Sequence, residues 1–222
     1  LMEIENNGYG DNSAIANLVA ALNTAQPDEA DHYAWVASPD GQPIGTDAIT
    51  VGLIYRPASV TPQGAASLIV LPVQQAEAQD ASGKPVAINQ GMRESLLQQF
   101  SSPKGDAPLT LVVNHLKSKG SACFEDYPDY ATADPLDGQG HCNALRVSAA
   151  KVLGERLKEV SGDLLLIGDL NAYGMEDPIR VLTDYDPAAQ ARQILSASFT
   201  TLAGQPYEES GSALGKGYGL VN

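Results

Sequence analysis

The chain has 222 residues, 43% of them hydrophobic, enough to bury a sizeable core as one α/β domain. Against 27 Asp and Glu stand only 13 Lys and Arg, a formal net charge of −14, which excludes a protein held along nucleic acid by basic stripes. No stretch reaches the apolar length that crosses a bilayer, and no charged-then-apolar leader opens the sequence.

Leu1-Met2-Glu3-Ile4-Glu5 reads as the end of a strand rather than a beginning, so the sequence is expected to start inside a longer chain. Asp11, Asn12 and Ser13 then offer N-cap oxygens to a helix whose Ile15, Leu18, Val19 and Leu22 share one face, and Pro27 closes it. Apolar runs at 49–55 and 67–71, each bounded by Gly or Pro, suit strands, while 77–91, rich in Ala, Gln, Asp and Gly, reads as exposed loop. Residues 109–113 form a continuous apolar strand that delivers Asn114 and His115 at its end, and Lys117-Ser118-Lys119-Gly120 follows as a loop.

Cys123 and Cys142, the only cysteines, bracket a segment of Pro, Asp, Gly and Tyr with no periodicity. A disulfide stapling this loop is expected, because little else would order it; a zinc site or two free thiols are the alternatives, with His141 adjacent but no CxxC spacing. Leu145, Ala149, Val152, Leu153, Leu157 and Val160 trace the buried stripe of a helix over about 143–160, which Gly162 ends. Residues 163–169 form a second buried strand that again ends in polar groups, Asp169 and, two positions on, Asn171. Asp177-Pro178 begins a short helix through about residue 183. The remainder is irregular apart from a candidate strand at 196–202, and the sequence stops at Asn222 without closing an element.

Strand, helix and strand with functional groups at both strand ends gather those groups into one crevice, since ligands of α/β folds sit beyond the carboxyl ends of strands. Glu3, His115, Asp169 and Asn171 are the candidates. Hydrolysis of a phosphodiester needs a cation against the phosphorane oxygens, a group to orient water and a proton donor, and carboxylates with a histidine supply all of these.

Leu1-Met2-Glu3-Ile4-Glu5-Asn6, Asn114-His115-Leu116-Lys117-Ser118-Lys119-Gly120 and Gly168-Asp169-Leu170-Asn171-Ala172 together resemble three ordered motifs of the endonuclease/exonuclease/phosphatase superfamily. The likeness is greatest to large secreted bacterial nucleases of the deoxyribonuclease I-like kind, in which the second motif, the cysteine pair and a stretch like Asn143-Ala144-Leu145-Arg146 occur together. The resemblance implies a four-layer sandwich of two packed β-sheets flanked by helices, spanning 1–222 as a single incomplete catalytic domain. It implies a DNA endonuclease, with RNA as the lesser option, working with Mg²⁺ or Mn²⁺, or third Ca²⁺, in an extracellular or periplasmic setting. Nucleic acid is the partner it implies, with no obligatory protein partner.

Carried over residue by residue, the resemblance makes Glu3 a metal ligand, His115 a phosphate-binding or proton-donating histidine, and Asp169 with Asn171 the pair that orients water and stabilises phosphate. Asn114, Lys117, Lys119 and Arg146 are the candidate substrate contacts. The superfamily also implies an asparagine on a strand before Glu3 and an Asp-His pair near the C-terminus, neither of which this sequence contains. An inactive fragment, or a phosphatase or sphingomyelinase-like diesterase, are therefore the competing readings.

Each candidate has a plainer reading. Glu5 shares a strand face with Glu3 if both lie on one strand. Asp169 and Asn171 suit an Asx-type turn. Arg56 either supports the site or pairs with a surface carboxylate, and Phe124, Tyr127 and Tyr130 either stack on bases or pack their own loop, packing being the safer assignment.

Overall fold

The computed structural model describes residues 1–105, 107–127, 138–158 and 160–184; Tyr130 and the candidate strand at 196–202 lie outside them. Among the described residues the protein is mixed α/β, with several sheets and three α-helices. The chain divides into two compact units interleaved in sequence, 1–70 with 93–115 and 160–168, and 71–92 with 116–159 and 169–222.

In the first unit, β1 (Ile4–Glu5) pairs with β3 (Ile49–Thr50), and β2 (Ala34–Trp35) pairs with β4 (Ile54–Tyr55), both antiparallel. The apolar run at 49–55 is therefore two short strands rather than one. It changes partner in the middle, where Gly52 donates its N–H to the Leu1 carbonyl and Leu53 accepts from Val36. Helix α1 (Ala14–Thr24) starts as the sequence indicates: Ser13 caps it by accepting from the Ala16 N–H, and Ile15 and Val19 are buried.

The larger sheet of this unit has the order β10-β9-β8-β5, from β5 (Thr61–Ile69), β8 (Ser95–Ser101), β9 (Leu109–His115) and β10 (Asp163–Asp169). β5, β8 and β9 run antiparallel in turn, with Leu96 opposite Val113 and Phe100 opposite Leu109. β8 carries no apolar alternation that announces a strand, because Gln98 and Gln99 stand at its centre. Gln98 is nevertheless 2% exposed, and its amide donates to main-chain carbonyls, 2.8 Å from that of Gln99. Tyr9, Ile15, Val36, Val51, Leu53, Leu96, Phe100 and Val113 form the core of this unit.

In the second unit, the expected loop at 77–91 is a hairpin, β6 (Gln74–Gln79) against β7 (Pro85–Gln90). Its turn is built by Asp80, whose carboxylate accepts from the Ser82 N–H and hydroxyl and from the Lys84 N–H, with Gly83 at a φ of +81°. Helix α2 (Asn143–Leu157) buries Leu145, Ala149, Leu153 and Leu157 at four-residue spacing and packs against α3 (Asp177–Asp184). Val160, read from the sequence as the end of the α2 stripe, lies beyond the helix.

The expected disulfide is present: Cys123 and Cys142 are bonded and wholly buried. Asp126, on the single 3₁₀ turn Phe124–Asp126, accepts from the main-chain N–H of both half-cystines, at 2.7 and 2.9 Å. The zinc reading falls here. Among the described residues Cys123, Asp126 and Cys142 are the only grouping of three or more potential metal ligands, and the disulfide takes both sulfurs. No helix among the described residues is long and apolar enough to cross a membrane.

Candidate active site

The first unit brings Glu3 and His115 together from positions far apart in sequence. His115 is the last residue of β9 and is 3% exposed, while the Glu3 side chain is 66% exposed; Nε2 of the imidazole lies 3.8 Å from Glu3 Oε1. That separation is ion-pair range for a protonated histidine and too long for a hydrogen bond.

Glu3 does not lie on a strand, as the sequence suggested. It precedes β1 in the left-handed region, with a φ of 58°, which breaks the alternation that would have put Glu5 on its face. Glutamate seldom adopts that conformation, and such strain persists only where surrounding contacts impose it. Among the described residues only Glu3, Cys142 and Asn171 combine a side chain with positive φ, and two of these three are motif residues.

Asn114, offered by the sequence as a substrate contact, is committed elsewhere. It is completely buried, its Oδ1 accepts from the Ser95 hydroxyl at 2.6 Å, and its Nδ2 donates to the carbonyls of Val112 and Ile167. The Ile167 bond ties β9 to β10. Gly168 follows with a φ of +129°, and a Cβ there would run into the Asn114 main chain, so only glycine fits. Ser95 is thus a supporting residue that sequence reading missed, since nothing in its local pattern sets it apart from other serines.

In the second unit, Asp169 and Asn171 form the Asx-type turn that was their plainer reading. Asp169 Oδ1 accepts from the Asn171 N–H at 2.8 Å, and Asn171 turns the chain with a φ of 47°. The turn is anchored to Leu116, whose N–H donates to the Asp169 carbonyl and whose own carbonyl accepts from Asn171 Nδ2 at 3.0 Å.

Two of the three basic candidates, Arg146 and Lys119, have other work, and Lys117 stays a candidate whose main-chain carbonyl accepts from Arg146. Arg146 is 0% exposed and donates through Nη1 to the carbonyls of His141 and Lys117 and through Nη2 to that of Gln139. It ties the loop after β9 to the start of α2 and is not available to a phosphate. Lys119 donates to both oxygens of Glu176, at 2.6 and 2.8 Å, and lies over the Tyr173 ring, 4.6 Å from its centroid. Glu176 and Tyr173 were not singled out from sequence, although both stand in the segment that follows Asn171. Arg56 resolves to the surface pairing, with Asp31 at 3.0 Å and Tyr33 beneath it. In the cysteine loop Phe124 is exposed and Tyr127 half-buried.

No family model matches the chain, and no curated protein does. Among solved structures it is similar to an endonuclease/exonuclease/phosphatase family protein from Bacteroides thetaiotaomicron, at 10% identity and a TM-score of 0.39, over 76% of this chain and 50% of that one. The chain thus spans half the length of that protein. A likeness so slight decides neither fold nor activity, which rest on the residues themselves.

Proposed function

We propose that this chain is the catalytic part of a divalent-metal-dependent phosphodiesterase acting on nucleic acid, DNA first. The observation that carries the proposal is the approach of Glu3 Oε1 to 3.8 Å from His115 Nε2, residues of two motifs far apart in the sequence. Support also comes from the strained backbone at Glu3 and from the rigid Asp169–Asn171 turn.

The residues suit a hard cation of the Mg²⁺ type. Such an ion keeps several waters and takes one or two protein carboxylates, which a single exposed Glu3 provides, whereas Ca²⁺ asks for more oxygens. Held there, Mg²⁺ or Mn²⁺ would offset charge developing on the phosphate oxygens. His115, buried but for the edge toward Glu3, would donate a hydrogen bond or proton to the phosphate. In the second unit, the Asp169–Asn171 turn is the group we assign, from its motif, to orienting water and stabilising phosphate. Attack by water needs no covalent enzyme intermediate.

The four-layer sandwich and the extracellular or periplasmic setting belong to the same proposal; the disulfide supports the second, since such bonds persist in oxidising compartments. The test is hydrolysis of DNA with added Mg²⁺ by the protein, His115→Ala and Asp169→Asn. Each substitution is expected to lower kcat by roughly 10²- to 10⁴-fold with the fold retained. Equal rates in wild type and His115→Ala would defeat the reading.

A further inference from the structure

We infer that Tyr173 is a stacking platform for an unpaired nucleobase beside the phosphate, which makes the substrate a base-bearing, single-stranded stretch of nucleic acid rather than a lipid head-group diester. This rests on the phosphodiesterase reading above.

Tyr173 stands two residues after Asn171, directly beyond the turn, and Ala172 between them is buried. Alternation about that buried residue directs the tyrosine to solvent, where it is 66% exposed. The exposed Met175 follows two positions on and extends the apolar surface.

The ring is not merely left over, because its position is fixed from one side. Lys119 Nζ sits 4.6 Å from the centroid and is itself held by both carboxylate oxygens of Glu176, which is 8% exposed. The ammonium is neutralised by Glu176 and directed at one face of the ring, so Lys119 acts as a clamp on Tyr173 and not as a phosphate contact. An aromatic held flat in this way leaves its second face for a partner at little further cost in side-chain freedom. The partner that suits a neutral π-face beside a phosphate-binding turn is a nucleobase, and only an unpaired base offers its own face. A quaternary ammonium head group would seek the same ring face, but Lys119 already sets a cation over Tyr173, and a second cation against the ring would meet that charge.

Oligonucleotides that differ only in whether the nucleotides flanking the scissile phosphate carry bases test this, since the phosphate backbone is unchanged. In wild type, abasic flanks are expected to raise both KM and the Kd measured by fluorescence anisotropy without metal by about tenfold. Tyr173→Ala should raise them equally with bases present and then be indifferent to base removal, while Tyr173→Phe and Tyr173→Trp retain the preference. A Kd and KM that respond to base removal as strongly in Tyr173→Ala as in wild type would overturn the inference and leave the phosphodiesterase reading intact. Base-dependent binding lost in Tyr173→Ala, with no hydrolysis of any diester, would instead sustain the platform and remove the activity.

Discussion

Adjacent residues of one strand, Asn114 and His115, do different work, and the difference is read from their partners. Asn114 satisfies its amide wholly inside the protein, joining β8, β9 and β10, whereas His115 keeps an edge toward an exposed carboxylate. The motif made both legible as important, but which one lies beside the exposed carboxylate depends on tertiary packing that no local pattern encodes. Tyr9 shows the same dependence in the first unit's core. Its hydroxyl donates to the Val51 carbonyl at 3.1 Å, and burial pushes its pKa up to about 12 from the ordinary 10. A proton held more tightly in the folded state contributes stability that is complete below pH 10 and is lost as pH rises from about 10 through 12. Tyr9→Phe should therefore flatten the alkaline limb of a urea-unfolding series, removing roughly 2 to 3 kcal/mol of pH dependence between those limits. Identical pH profiles for the two proteins would show that Tyr9 does not titrate there.

At the scale of elements, continuous apolar runs and caps were reliable guides and polar strands were not. The strand at 163–169 and the start of α1 follow directly from the sequence, because a continuous apolar run and an N-cap each leave a local signature, although only Leu166 of that strand is buried and Ile167 is exposed, so the expected full burial is not met. The hairpin of β6 and β7 left none, since its residues are mostly Ala, Gln and Glu, and it is organised by the turn rather than by a core. Asp80 is the organiser. The Ser82 hydroxyl, followed by the Lys84 N–H, holds its carboxyl below the usual carboxylate range, so the turn is favoured above that range and loosens as pH falls through it. Asp80→Ala should speed amide hydrogen exchange across residues 74–90 by about tenfold while leaving exchange in α2 unchanged. Uniform protection of the hairpin in that variant would assign its stability to strand pairing alone.

For the molecule as a whole, the charge of −14 constrains how a polyanionic substrate could be held. Among the described residues, Arg56, Arg93, Lys119 and Lys158 are paired with Asp31, Asp47, Glu176 and Glu155, and Arg146 is given over to main-chain carbonyls. Binding that neutralised a track of phosphates would have to break these pairings or draw on scattered exposed groups such as Lys84, Lys104, Lys151 and Arg180, against the repulsion of a chain with twice as many acidic as basic residues. The affinity is then expected to come from few phosphate contacts together with stacking and a cation, and such binding releases few counterions. The logarithm of the association constant for a single-stranded oligonucleotide should fall with the logarithm of NaCl concentration with a slope no steeper than about −2 between 50 and 200 mM. A slope steeper than about −4 would mean six or so phosphates neutralised at once, and would show that the scattered exposed cations act together as a phosphate track after all.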